Sequence, residues 1–215
     1  KARTLASNWS SWYEAPPEPL RVFPPKGDAA RAAGRPLHGG PGLVRASYTG
    51  LAEYPAAGNE LMMLRWVWAR FDDLGVHALH DALALRCKVF ILEQGPYQDP
   101  DGADKQSYHL LGYDEAGVLQ ACLRVVDPGV NYPEPSIGRV VTAKEARGNG
   151  TGRLLVAEGL ARCQQVWPGR AVRISAQAHL QRFYGSFGFV AVSDEYLEDD
   201  IPHIEMLWTP PVAQG

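Results

Sequence analysis

Positions 146 to 153 read ARGNGTGR, and this stretch sets Gly148, Gly150 and Gly152 within five residues. Glycine costs roughly 0.5 to 1 kcal/mol against alanine inside a helix or strand, so such a cluster marks a special turn or a backbone that something must approach closely. The residues before it, SIGRVVT, alternate as a strand, and those after it carry Leu154, Leu155, Ala157, Leu160, Ala161 and Val166 at helical spacing. A strand, a glycine turn and a helix start together gather unpaired N–H groups and the positive end of a helix dipole, a setting that favours phosphate. A Walker A loop would need a Gly-Lys-Ser/Thr ending, and there is none. A dinucleotide fingerprint would need Gly or Ala where Arg153 stands, and it would open the first βαβ unit rather than follow the fourth strand.

Other chemically capable residues are more thinly spread. The loop YQDPDGAD gathers Asp99, Asp101 and Asp104 beside Tyr97, without the spacing or closing glutamate of a calcium loop. Two readings fit it: an acidic mouth that attracts a cationic amine, or turn residues whose carboxylates hold their own backbone N–H groups. Glu93 closes the first helical pattern where this loop begins, so it is a base or substrate ligand, or else a solvated or capping glutamate. His38, His77, His80, His109, His179 and His203 are scattered, and His77 with His80 lacks the glutamate and partner of a zinc helix, so no metal is expected. Cys87, Cys122 and Cys163 are far apart and set among apolar neighbours, which reads as reduced core thiols without a nucleophile's setting.

The elements that must position these groups follow from periodicity. MLRWVWARFDD alternates as a strand, and Val76, Leu79, Leu83, Cys87 and Phe90 predict a helix over 76–93. SYHLLGYDEAGVLQACLRVVD predicts two strands turning at Glu115-Ala116-Gly117, with His109 and Arg124 on central strands, followed by SIGRVVT and the glycine loop with its helix. AVRISA, the short helix AHLQRFYGSFG, then FVAV and HIEMLW complete the order β-α-β-β-β-α-β-α-β-β, a mixed α/β (α+β) arrangement around one core. The first 60 residues hold eight prolines and seven glycines without a period, so 1–62 is expected to be an irregular or loosely docked extension, 63–210 the domain and 211–215 a tail. With 46% hydrophobic and 21% charged residues, a net charge of −3, no apolar run near the ~20 residues of a membrane span and no leader pattern, a soluble cytoplasmic protein is expected. No basic patch points to nucleic acid.

The loop pattern Arg/Gln-x-x-Gly-x-Gly/Ala, met by Arg147, Gly150 and Gly152, resembles the pyrophosphate loop of the GNAT (GCN5-related N-acetyltransferase) superfamily, which binds acetyl-CoA. The element order fits that fold, and LRCKVFILEQGPYQDPDGAD, IGRVVT, AQAHLQRFYGSFGF and DDIPHIEM resemble its ElaA-like branch over about residues 63–208. The resemblance implies a central mixed β-sheet of about six to seven strands flanked by helices, and transfer of an acetyl group from acetyl-CoA to a primary amine in a ternary complex, without a metal. It implies that backbone groups around Val140 and Val141 meet the pantetheine arm and that Arg147, Gly148, Asn149, Gly150, Thr151 and Gly152 wrap the pyrophosphate, with Arg153 nearby. Gln177 stands where the family usually has an asparagine facing pantetheine, and Tyr184 where it has the acid that protonates the departing thiolate. A phenol with an ordinary pKa of about 10 is protonated at neutral pH beside a thiol of about 8.5, as that role requires. Glu93 is the candidate base, and Asp99, Asp101 and His203 the candidate acceptor ligands. The acceptor is expected to be a small-molecule or peptide amine, the enzyme a monomer or homodimer, with neither nucleic acid nor membrane as partner. The alternatives are an acyltransferase like the acyl-homoserine-lactone synthases, which share the architecture, and a non-catalytic CoA-binding module.

Overall fold

The computed structural model describes residues 63–95 and 98–211; the expected extension over 1–62, Tyr97 and the last residues of the expected tail lie outside them. The described chain forms one eight-stranded sheet in the order β1-β2-β3-β4-β5-β8-β6, with β7 paired to β8. The strands are β1 (Arg65–Arg70), β2 (Ser107–Tyr113), β3 (Leu119–Val126), β4 (Ser136–Thr142), β5 (Val172–Gln177), β6 (Val190–Ala191), β7 (Tyr196–Glu198) and β8 (Ile201–Trp208). Every pairing is antiparallel except β4 with β5. Three helices, α1 (Val76–Arg86), α2 (Thr151–Val166) and α3 (Gln181–Gly185), flank the sheet.

Period-two alternation sorts adjacent residues onto opposite faces. Leu110, Leu123 and Ile137 pack with Leu155, Val156, Leu160 and Tyr184 of α2 and α3. Leu111 and Cys122, adjacent to the first two, and Val141 further along β4 pack with Ala82 and Leu85 of α1 on the other side. The sheet is therefore buried on both faces, and its central strands read as nearly continuous apolar runs.

Three details depart from the sequence expectation. The helix expected over 76–93 keeps α-geometry only to Arg86, then widens into a π-helical turn over Cys87–Ile91, where Leu92 N donates to Cys87 O (3.1 Å) and Gln94 N to Val89 O (3.2 Å). The FVAV strand shrinks to two residues, and an unexpected strand, β7, forms within SDEYLEDD. Its hairpin with β8 pairs Glu198 with Ile201, leaving Asp199 (φ 50°) and Asp200 (φ 60°) as a two-residue loop with both residues left-handed. That is the I′ geometry whose twist matches the flanking strands.

Gly159 lets α2 lie against the sheet: a Cβ there would stand 2.8 Å from Leu123 Cδ2, a side chain buried in the core, and 3.6 Å from Ile137 Cδ1. Gly159→Ala is expected to lower stability by up to about 2 kcal/mol, because overpacking of about 1–3 kcal/mol is offset by a helix-propensity gain of only about 1 kcal/mol. Gly185→Ala, where a Cβ meets nothing within 4 Å, should not. Urea midpoints of the full chain would show the contrast.

Candidate active site

β4 and β5 run parallel but pair at a single position, Ser136 with Arg173, secured by Arg173 N donating to Pro135 O at 3.0 Å. Beyond it the strands part, and a cavity of about 320 Å³ opens between them. A bulge in β4 sits at this point: Cys122 pairs with Val141 and Arg124 with Gly138, so Arg139 and Val140 together oppose Leu123. Arg139 adopts φ 51°, a left-handed conformation that costs a non-glycine residue of order 1–3 kcal/mol unless its surroundings hold it there. The bulge shifts the β3–β4 register and turns Val140 to the cavity, while Val141 stays buried in the α1 face.

The glycine loop follows β4 directly. Gly148 (φ 78°) and Gly150 (φ 89°) occupy the left-handed region that side chains disfavour, and Gly150 is the residue from which α2 starts. Asn149 Oδ1 accepts from Thr151 N (3.1 Å) and Thr151 Oγ1 (2.7 Å), which fixes the turn. Among the described residues, the N–H groups of Gly148, Asn149, Gly150 and Gly152 donate to no protein acceptor. Gly152 has ordinary protein surroundings, since a Cβ there would meet Phe183 and Thr142 at 3.8 Å. Arg147 reaches across to Glu93, with N–O distances of 2.8 and 3.2 Å, and donates to Thr142 O. That hydrogen bond from Arg147 holds the exposed Glu93 carboxyl below its usual range. Glu93 is thus a counter-ion of the loop arginine and does not line the cavity as a base would. Arg153 turns to α3, donating to Ser186 Oγ (2.9 Å) and lying over the Phe187 ring.

Tyr184 lines the cavity from α3. It is 6% exposed, packed edge-on against Phe183 and Phe189, and its hydroxyl has no hydrogen-bond partner among the described residues. Burial pushes its pKa up to about 12. Gln177, at the end of β5, also lines the cavity and reaches Gln94 Oε1 at 3.4 Å. His203 does so from β8, with Nδ1 2.8 Å from Ile201 O.

The acidic loop has a different role from the one expected of Asp99. That carboxylate is 0% exposed and binds Arg86 Nε (2.9 Å) and Arg139 Nε (2.9 Å), so it faces arginines and no acceptor. Arg86 also meets Asp104 (2.9 and 3.1 Å), and Arg124 meets Asp104 (2.9 Å) and both oxygens of Asp101 (2.6 and 2.8 Å). Arg139 adds Asp101 at 3.2 Å. Three arginines and three aspartates thus neutralise one another, and the cavity sees only their edge at Asp101, Arg124 and Arg139. Burial alone would raise the Asp104 carboxyl, but the Arg86 and Arg124 guanidiniums hold it at about 2. Burial lowers the pKa of His109, whose Nε2 lies 3.0 Å from Asp104 O inside the same network.

The opposite wall was not anticipated. Ser175 of β5 and Tyr196 and Glu198 of β7 form a hydrogen-bonded chain, Tyr196 Oη to Ser175 Oγ at 2.6 Å and Ser175 Oγ to Glu198 Oε2 at 2.8 Å. A signal for Ser175 exists in the sequence: VRISAQ alternates, and Arg173, Ser175 and Gln177 share a polar face in a strand at the middle of the sheet. Among the described residues, no group of three or more His, Cys, Asp or Glu is arranged to hold a metal, and no helix is long and apolar enough to cross a membrane.

Comparison with known proteins agrees with this geometry. The acetyltransferase (GNAT) domain family matches residues 84–210. A UPF0039 protein of Synechocystis is 46% identical over 151 residues, 70% of this chain and 98% of its own length. Protein ElaA of Escherichia coli is 42% identical over 149 residues, 67% of this chain and 95% of its own. The crystal structure of an acyl-CoA N-acyltransferase from Pseudomonas aeruginosa superposes with a TM-score of 0.65 at 43% identity, covering 68% of this chain and 100% of that one.

Removing one partner of a buried ion pair leaves uncompensated charge, a loss of about 3–5 kcal/mol. Arg86→Met is therefore expected to destabilise the protein by that amount at pH 7. Asp104 is depressed on folding, so its contribution is present above its ordinary pKa of 3.8 and fades as pH falls towards about 2. In the variant, protonation relieves the stranded carboxylates instead. The difference between wild type and variant in urea unfolding should consequently narrow as pH falls from about 5 towards about 2.

Proposed function

Because the chain belongs to the acetyltransferase (GNAT) family, in its ElaA-like branch, we propose that it moves the acetyl group of acetyl-CoA to a primary amine by direct attack in a ternary complex. The observation that carries this reading is the parting of β4 and β5 after one residue pair, with the amide-rich loop at one end of the gap and the buried Tyr184 hydroxyl inside it. Acetyl-CoA would supply an activated acyl thioester and a diphosphate handle.

The loop residues fit that handle. Four unpaired N–H groups at the start of α2 complement phosphate charge. Neither φ nor a protein neighbour demands glycine at 152, so its lack of a side chain is best used by a ligand pressed against the backbone. Arg147 would exchange or share its Glu93 partner with phosphate. Backbone groups of β4 beyond the bulge, around Val140 and Val141, lack a partner strand on the β5 side and suit the amide-bearing pantetheine arm, with Gln177 across the gap. One such N–H, aimed at the thioester oxygen, would stabilise the developing oxyanion by a factor of about 10²–10³.

Tyr184 is the general acid in this reading. Its desolvated phenol keeps its proton throughout the neutral range, and a buried phenolate is costly, so proton donation to sulfur must be coupled to rapid return of a proton from the nitrogen. Cys122 and Cys163 are buried with thiols pushed up to about 12, which argues for direct transfer over an acyl-cysteine intermediate. Three free thiols fit a reducing compartment such as the cytoplasm.

Calorimetric titration of the full chain with coenzyme A should give saturable heat, and no heat would overturn the reading. Tyr184→Phe should lower kcat by about 10²–10⁴ while leaving the acetyl-CoA Kd within a few-fold. The alkaline limb of the wild-type kcat profile should stay flat to at least pH 10, because the acid is lost only as pH approaches about 12.

A further inference from the structure

The reading above leaves open which group receives the proton that a primary ammonium must lose before it attacks. Three carboxylates border the cavity: Asp101, Glu198 and Asp199. Asp101 is engaged by Arg124 and Arg139. Glu198 and Asp199 have no arginine or lysine partner among the described residues. Only Glu198 is joined to the interior of the cavity: Ser175 Oγ donates to its Oε2, and with that proton engaged, Tyr196 Oη donates to Ser175 Oγ. The cavity that Glu198 and Ser175 line also holds Tyr184, a residue 6% exposed whose hydroxyl has no protein partner among the described residues and is open to a ligand there.

Resting on the acetyl-transfer reading, we propose that Glu198, wired through Ser175 to Tyr196, binds the acceptor's ammonium group and takes its first proton, and that the site selects primary amines with no carboxylate beside the nitrogen. The surroundings support both halves. Glu198 is bonded to Ser175 from β5, which bonds Tyr196 of its own hairpin, and it shares the cavity wall with Asp199, with His203 from β8 and with Tyr132 from the loop before β4, whose hydroxyl also lies near Glu205 of β8. Glu205 shares Arg173 with Glu134, one guanidinium for two carboxylates. The wall is therefore net negative; it attracts a cation and repels an acceptor carboxylate. Tyr132 stays neutral, because burial first, and the nearby Glu205, Tyr196 and Glu198, push its hydroxyl up to about 12.

The protons balance. The ammonium gives one proton to Glu198, whose exposed position passes it to water. The neutral nitrogen forms the C–N bond as the C–S bond breaks, the sulfur takes the Tyr184 proton, and the second nitrogen proton returns to Tyr184. Base and acid thus lie on different elements, β7 and α3, lining one cavity.

The test uses the full chain, acetyl-CoA, and two probe acceptors, 1,4-diaminobutane and glycine. Wild type should acetylate the diamine with a kcat/KM at least tenfold above that for glycine. Glu198→Gln, which keeps the side-chain shape and an acceptor for Ser175, should lower kcat with the diamine by about 10²-fold at pH 7 and recover much of it near pH 10, where the free amine supplies itself. Its calorimetric Kd for acetyl-CoA should be unchanged. Equal turnover by Glu198→Gln, with acetyl-CoA binding intact, would overturn the proton-acceptor role. Preference for glycine, or no turnover of either probe by a wild type that binds acetyl-CoA, would overturn the acceptor class. A wild type that does not bind acetyl-CoA would overturn the coenzyme reading and this inference with it.

Discussion

A parallel strand pair that holds at one residue and then fails is the constraint on which this structure depends. Parallel ladders gain stability from length, and β4 and β5 give it up immediately after Ser136 and Arg173. The cause is local: a bulge at Arg139 and Val140 increases the twist of β4 just where β5 would have to follow it. Without that parting, the Val140 backbone would pair with β5 and Tyr184 would close onto apolar core. The interior of a two-sided sheet would then have no opening at its centre.

The bulge is held by charge. Arg139 tolerates φ 51° because its guanidinium is anchored on Asp99 and Asp101, which in turn are held by Arg86 from α1 and Arg124 from β3. Four elements thus converge on one neutral cluster. A buried cluster of this kind contributes little net stability over an apolar core of equal volume, since desolvation nearly cancels attraction. Its value here is geometric: bidentate contacts fix directions that methyl groups cannot, and they fix them at the one strained residue of β4. Its internal neutrality also leaves the electrostatics of the cavity to the opposite wall, where Glu198 and Asp199 remain uncompensated.

Legibility in the sequence followed the range of the interactions. The α2 pattern, the glycine loop and the β2–β3 turn are local, and all three formed where periodicity and turn chemistry set them; Gly117 takes φ 78° and Asp114 caps the turn through Val118 N. The π-helical turn was not readable, because VFIL carries the same apolar period whether the ladder is i→i+4 or i→i+5. β7 was hidden because its three residues lie in an acidic stretch and its I′ loop uses two aspartates in place of the usual Asn-Gly or Asp-Gly. The partner of Glu93 lies 54 residues away, and that of Arg139 lies 38 away, so no window along the chain could have revealed that one faces Arg147 and the other steadies a bulge. The acidic loop was open to two readings, and for Asp99 and Asp104 the structural one holds, though their partners are guanidiniums of the sheet and α1 more than their own backbone.

The two walls of the cavity put titratable groups in opposite environments, and that separation is what acid–base chemistry needs. A phenol among Phe183, Phe189 and the α2 face is kept protonated by burial, while the carboxylate of Glu198 on the β7–β8 hairpin is exposed to water. In the proposed reaction the two could not be exchanged: a carboxylate at position 184 would be forced neutral or would repel a departing thiolate, and a phenol on the hairpin could not hold an ammonium by charge. The fold enforces the difference through topology, since α3 packs on the core face while β7 pairs only with β8 and leaves Glu198 exposed. The same parting of strands therefore brings a dry phenol, Tyr184, and a water-exposed carboxylate, Glu198, to one cavity.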